Sequence, residues 1–274
     1  MSDLLSALKA GNLGQTLQLL QQAVRQQPAD ASKRVFLFQL LVVLGQWERA
    51  LTQLNVAGEL DAATLPMVQT YREAIQCEAL RLDIFSGKRA PLIFGQPQPW
   101  MALLLEALKF DAANDVDSAD HAAAARAQAF DAAPASSGSI DGVRFEWIAD
   151  ADQRLGPVLE TIINGRYFWV PMQRIARIEF DGPVDLRDTV WTAASFTWAN
   201  GAQTVGLIPT RYNESVASGD DALLLARRTQ WSQQGHGLGQ RMLATDAGDY
   251  ALMDVRVIEF DAPPAADYTE AQHG

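Results

Sequence analysis

Cysteine is nearly absent: Cys77 is the only one in 274 residues. One cysteine cannot form an intrachain disulfide or supply a thiolate-rich zinc site. Histidine is scarce too. His121, His236 and His273 are far apart in the chain and form no cluster with metal-ligand spacing. Positive charge is in deficit, with 22 Lys and Arg against 33 Asp and Glu, a net charge of -11. That balance argues against a nucleic-acid binder, which presents a basic face, and against docking on anionic lipid. Long hydrophobic runs are missing. The longest candidate, "FLFQLLVVL", is well short of the roughly 18 apolar residues that a membrane span needs. The start, "MSDLLSALKAGNLGQ", lacks the basic flank and apolar stretch of a secretory leader. These absences predict a cytoplasmic protein with no metal, no cofactor and neither nucleic acid nor membrane as partner.

What is present is apolar and strongly patterned. Apolar residues make up 48% of the chain, enough for a substantial core. Through residue 133 they recur at helical spacing, as in "LLSALKAGNLGQTLQLLQQAVRQ", "RVFLFQLLVVLGQWERALTQL" and "MVQTYREAIQCEALRLDIF". A repeat is embedded there. Gly11, Leu13, Thr16, Leu20, Ala23 and Pro28 recur as Gly45, Trp47, Ala50, Leu54, Ala57 and Ala62, displaced by 34 residues. That is the tetratricopeptide period. The glycines permit tight turns between antiparallel helices, and the small residues let helices approach closely. Trp47 is expected to be buried where the second pair closes. A third, degenerate unit is expected from Thr64 through "SGKRAPLIFG". Two further helices follow, the Ala-rich one with Asp117 and Ser118 as cap candidates. It stops at Pro134.

Residues 134–141, "PASSGSID", read as a linker between a helical domain (1–133) and a mostly antiparallel β domain (142–274). The expected class is α+β. Beyond Gly142 the period falls to two. "VRFEWIA" reads as a strand. Asn164-Gly165 and Asn200-Gly201 each sit between two strand patterns, the strongest short hairpin signal. A two-residue loop pairs Ile162 with Tyr167, Thr161 with Phe168 and Glu160 with Trp169. The second hairpin, read the same way, puts Phe196 and Trp198 on one face with Val205 and Leu207. One face of this second hairpin is expected to be buried and the other, with Thr197 and Thr204, wet. "QRMLAT" and "YALMDVRVIEF" flank a third turn, and "DLRDTVW" and "ESVAS" read as short helices.

Several residues invite a chemical reading. Asp150 and Asp152 form an acid pair of the kind used for proton transfer or metal binding, but acids at such a corner usually bond to the backbone, so they read as turn caps with an ion pair to Arg154. "DLRD", Asp185 to Asp188, reads as a salt-bridged turn. "GHGLGQ", Gly235 to Gln240, lacks the strand-turn-helix setting of a phosphate loop and reads as a flexible loop. Ser195 sits mid-strand without a nucleophile-elbow motif. Cys77 lies on an apolar helix face, where a thiol acts as a small hydrophobe. Trp191 falls at a junction where it could be exposed. No set of these residues supports catalysis, and no catalytic residue is assigned.

Longer motifs carry a resemblance. "DADQRLGPVLETIINGRYFWVP", "DLRDTVW", "IPTRY" and "GQRMLATDAGDYALMDVRVIEF", with "LGQWERALTQL" in the helical half, resemble the TagJ/ImpE family, also called SciE-type. "PTRYNES" departs from it, since a small residue is expected before the serine. The resemblance covers nearly the whole chain. It implies a non-enzymatic type VI secretion adaptor that binds the N-terminal helix of the small sheath subunit, TssB. It also implies a link to the ClpV-type AAA+ ATPase that dismantles the contracted sheath. A hydrolase using Asp150, Asp152 or Asp185 and a general effector chaperone are the alternatives. Tetratricopeptide units present their first helices along a groove. By the repeat alignment, Val35, Gln39 and Val42 face it from one helix and Gln69 and Glu73 from the next. Val35 and Val42 lie about two turns apart on one stripe, which suits either an amphipathic partner helix or the core.

Overall fold

A computed structural model describes residues 2–113 and 116–262. Its helices are α1 (Ser2–Lys9), α2 (Leu13–Gln26), α3 (Ala31–Val43), α4 (Trp47–Leu60), α5 (Leu65–Phe85), α6 (Pro99–Ala113) and α7 (Val116–Ala132). Local chemistry sets their ends. The Asn12 side chain accepts from Gln15 N at 2.9 Å and starts α2; Asp30 accepts from Lys33 N at 3.1 Å and starts α3. Gly11 and Gly45 turn the chain at φ of 80° and 67°. Thr16, Ala50 and Ala57 are fully buried where helices meet. Asp117 and Ser118 lie inside the first turn of α7 instead of capping it.

Two expectations for this half need correction. The third repeat has a first helix but no second. Pro91 has no amide to donate, and Gly87 and Gly95 both adopt positive φ, so the helix is not resumed. Residues Leu92–Ile93 instead form an edge strand parallel to Phe168 and Trp169. Trp47 is only half-buried. It does not close the helical pair. Its ring packs against Trp191, 6.0 Å away in the β half.

The strands are β1 (Leu92–Ile93), β2 (Gly138–Ile140), β3 (Val143–Phe145), β4 (Ile148–Asp150), β5 (Val158–Ile163), β6 (Arg166–Pro171) and β7 (Ile175–Phe180). Then follow β8 (Trp191–Trp198), β9 (Gln203–Pro209), a short α8 (Asp221–Leu224), β10 (Thr229–Trp231), β11 (Gly237–Gly239), β12 (Met242–Thr245), β13 (Gly248–Ala251) and β14 (Val257–Phe260). Nine strands form one sheet in the order β1-β6-β5-β9-β8-β7-β14-β2-β3. A three-stranded sheet, β13-β12-β4, and the β10-β11 pair complete the half. Residues 134–141 are not wholly a linker. Gly138–Ile140 is a sheet strand, and Ile140 pairs with Ile258 and is fully buried. Short 3-10 helices form at Leu186–Thr189 and Asn213–Ser218, where short helices are expected.

The two Asn-Gly turns differ, and the difference decides register. Asn164 and Gly165 both take positive φ, 49° and 70°, as a two-residue type I′ loop requires. Ile162 therefore pairs with Tyr167, Thr161 with Phe168 and Glu160 with Trp169. At the second turn only Gly201 has positive φ, 82°. Gly201 N donates to Trp198 O and Trp198 N to Ala202 O, a three-residue loop with a glycine bulge. The register slips by one. Phe196 pairs with Thr204 and Ser195 with Val205. Val205 thus leaves the face of Phe196 and Trp198 and is 73% exposed. A one-residue slip must produce this inversion.

The sheet is a middle layer. Ile162, Tyr167, Trp169 and Trp191 on one face share a core with Leu37, Leu41, Tyr71, Ile75 and Phe85 of the helices. Leu159, Ile163, Val170, Phe196 and Ile258 on the other pack against Leu243 of the small sheet. Every residue of β5 is buried, whereas the second hairpin keeps a buried face at Phe196 and Trp198 and an open one at Ser195 and Val205. Trp191, placed at the junction by sequence, is there but fully enclosed. Its ring meets Tyr71 at 5.6 Å, and its Nε1 donates to Glu78 at 2.9 Å. Trp191→Ala is expected to cost about 3–5 kcal/mol in urea denaturation, with helical and sheet signals lost together. Loss of sheet signal alone would contradict this shared core.

Candidate functional site

Burying β5 on both faces forces Glu160 into the interior. Its carboxylate meets Arg81 of α5, with Arg81 Nη2 to Glu160 Oε2 at 2.9 Å. Arg241 and the Tyr167 hydroxyl also donate to it. Arg241 continues to Asp150, whose Oδ1 accepts from Tyr212 Oη at 3.0 Å and Asp152 N at 2.9 Å. The side chains of Asp150, Glu160 and Arg241 expose no surface. Arg211 has no carboxylate partner among the described residues. It donates to the carbonyls of Val42, Val43 and Leu224, capping the C-terminal end of α3. Burial lowers its pKa to about 10.

The acid pair resolves into structure. Asp152 holds Arg154, Nη2 to Oδ2 at 2.6 Å, as the turn reading expects. Asp150 pairs with Arg241 instead. Asp152 also accepts from Gly237 N at 2.9 Å, and Arg154 continues to Glu214. Glu214 is held down to about 2 by hydrogen bonding from His236 and by Arg154. Within the "GHGLGQ" stretch, expected as a flexible loop, Gly237–Gly239 instead forms a strand paired with Thr229–Trp231. Gly237 is required there because a β-carbon would collide with the Tyr212 ring. Asp185 and Asp188 form a capping box around their own turn, and Asp185 pairs with Arg187. Asp150 and Asp152 thus have no exposed face for a substrate. Cys77 is buried, its thiol 3.5 Å from Gly165 O and pushed up to about 12 by burial. Ser195 is exposed on β8. His121 stacks on Phe110, and His273 lies outside the described residues. Among the described residues no group of three or more His, Cys, Asp or Glu could hold a metal ion.

The tetratricopeptide groove is filled largely from within. Val42 is fully buried, so it belongs to the core and presents nothing to a partner. Gln39 is buried and accepts from Leu186 N at 3.2 Å. Glu73 packs against Gly165 at the β5–β6 turn, and exposed Gln69 donates to it. Of the five, Val35 and the inner Gln39 border a cleft of about 470 Å³. Val35 lines it with Leu5, Leu8, Phe36, Asp61 and Val184, and Gln39 and Leu186 close its inner end. Gln69 and Glu73 lie outside that lining. Val184 is 91% exposed and Leu5 46%. Sequence reasoning missed Arg81, Glu160, Arg211 and Arg241. Only Glu160 left a signal, as a charge inside the apolar run "VLETII".

The fold and cleft define a helical-repeat scaffold whose own sheet occupies most of its groove. Residues 7–75 match the tetratricopeptide repeat family, and residues 142–259 match the family described as ImpE protein. The chain is 54% identical over 258 residues to the type VI secretion system accessory component TagJ of Pseudomonas aeruginosa, spanning 94% of this chain and 91% of that one. It belongs to the TagJ/ImpE family. The crystal structure of protein VPA1032 from Vibrio parahaemolyticus shares the fold, with a TM-score of 0.83 at 24% identity over 96% of this chain and 99% of that one.

The ionic core carries a pH signature. Burial alone would raise the pKa of Glu160, but Arg81 and Arg241 hold it at about 2, below its ordinary 4.5. Its stabilisation is fully present above about pH 4.5 and is lost as pH falls toward about 2. Asp150 runs the other way. Burial and the Asp152 carboxylate raise it to about 6 against the pull of Arg241. Its contribution is present below its ordinary 3.8 and fades as pH rises through about 6. Glu160→Gln should cost about 3–5 kcal/mol at neutral pH, because Arg81 and Arg241 lose the buried carboxylate they share, leaving Arg241 with Asp150 and Arg81 with the longer 3.4 Å contact to Glu78. It should also flatten the acid limb of the stability profile. Urea titrations across pH test both, and an unchanged acid limb would show that Glu160 is not the linked group.

Proposed function

We propose that this protein is a non-enzymatic type VI secretion adaptor that binds the N-terminal helix of the sheath subunit TssB and assists a ClpV-type AAA+ ATPase in the cytoplasm. Family membership and the P. aeruginosa relative, a type VI secretion system accessory component, support the secretion system as its setting. The observation that carries the binding mode is the cleft at Val35. It is the stretch of repeat groove that the sheet half leaves open, and its lip, Val184, is almost wholly exposed. Apolar side chains at one-turn spacing on a partner helix fit between α1 and α3, as in other helix-in-groove complexes. Among the described residues no helix is long and apolar enough to cross a membrane. The acids that a hydrolase would use are enclosed or bound in turns.

A peptide copying the TssB N-terminal helix should bind with roughly micromolar affinity, about -8 kcal/mol. Val35→Glu and Val184→Glu should each weaken it at least tenfold, about 1.4 kcal/mol, with native circular dichroism. Gln69→Ala, outside the cleft, should leave it unchanged. Calorimetry decides, and full affinity in both glutamate variants would remove the cleft as the site.

A further inference from the structure

The helical half carries a second groove, away from the Val35 cleft and opposite in charge. It runs between α2, α3 and α4 and has a volume of about 270 Å³. Its floor is apolar, formed by Val24, Leu37 and Leu41, which are at most 5% exposed. Arg25 and Arg49 stand on its rim, both exposed. Among the described residues neither meets a carboxylate. Arg25 has no side-chain partner there, and Arg49 donates only to the neutral Gln46. Arg34 adds a third guanidinium, fixed to the groove wall by its 2.7 Å bond to Gln53 Oε1.

This is unusual for the chain. The whole protein has a net charge of -11, yet residues 13–60 hold four basic residues (Arg25, Lys33, Arg34, Arg49) against three acidic ones (Asp30, Glu48, Glu59). Lys33 is already paired with Asp30. The unpaired positive charge is therefore that of the groove. Several buried arginines elsewhere are paired with carboxylates, Arg81 and Arg241 with Glu160, Arg154 with Asp152 and Arg126 with Asp111, while Arg211 donates to backbone carbonyls inside the core. An apolar floor between unpaired guanidiniums calls for an occupant with apolar anchors flanked by carboxylates. Leu37 and Leu41 lie one helical turn apart, so matching anchors sit at one-turn spacing on a helical segment.

We propose that this groove docks an acidic amphipathic segment of a partner protein. It is a site separate from the Val35 cleft, so one scaffold can hold two segments at once. The rim arginines steer the segment and set its salt dependence, and the floor accepts its apolar side chains.

The test uses the full chain and a fluorescein-labelled helix-forming peptide with leucines at one-turn spacing and glutamates on both flanks. A counterpart with every glutamate replaced by lysine is the control. Anisotropy at low salt should show binding of the acidic peptide and at least tenfold weaker binding of the lysine peptide. The double variant Arg25→Glu/Arg49→Glu should lose at least tenfold in affinity. The neutral pair Arg25→Gln/Arg49→Gln should lose less, and Arg25→Lys/Arg49→Lys should retain binding. Val35→Glu should bind as the wild type does, which separates this groove from the cleft. Equal affinity for both peptides, no binding of the acidic one, or undiminished binding by the double glutamate variant would overturn the proposal. So would a concentration-dependent dimer abolished by the same variant, since the occupant would then be a second copy of this chain.

Discussion

The chain of charges Arg81–Glu160–Arg241–Asp150 is the constraint on which the rest of the structure depends. Arg81 belongs to a helix of the repeat half, and the other three belong to the sheet half. Desolvating four charges offsets much of their mutual attraction, so the chain adds less to net stability than its contacts suggest. Its main effect is on separation. Drawing α5 away from β5 would leave a carboxylate or a guanidinium buried without its counter-charge, at a cost of several kcal/mol. The aromatic contacts of Trp191 with Trp47 and Tyr71 lie in the same interface and add apolar burial to the ionic lock.

That interface determines which surfaces remain for binding. Repeat arrays ordinarily leave the faces of their first helices free for ligands. Here β6, β8 and the Asp185–Asp188 turn press against α3 and α5, and Arg211 reaches the carbonyls at the end of α3. Two repeats and a lone third helix are few for a stable solenoid. The sheet supplies the missing packing, as a further repeat would, and so takes most of the groove. Among the described residues the cleft at the α1 end stays open.

Much of this was readable from the residues. Gly11 and Gly45 with the small residues Thr16, Ala50 and Ala57 marked the repeat, because tight turns and close helix approach restrict residue choice locally. Asn164-Gly165 marked a hairpin down to its pairings for the same reason. Asn200-Gly201 did not, since a type I turn with a glycine bulge uses the same dipeptide and shifts the register by one. The failures elsewhere were long-range. Val42 and Val35 have the same type and spacing, and only the arrival of Arg211 and the sheet separates a core residue from a cleft residue. Arg81 and Arg241 look like ordinary surface arginines until β5 is known to be covered on both faces. Residues 134–141 looked like a linker because Gly138–Ile140 is short, and its partner, β14, lies more than a hundred residues away.

The buried charges lock the two halves into one cooperative unit. Native-state hydrogen exchange in increasing denaturant tests this most directly, by following amides of α5 around Arg81 and of β5 around Glu160. A shared lock predicts one opening free energy and one denaturant dependence for both, equal to those of global unfolding. Exchange of α5 through a lower-energy opening while β5 stays protected would contradict it, and would show that the helices and the sheet open as separate bodies.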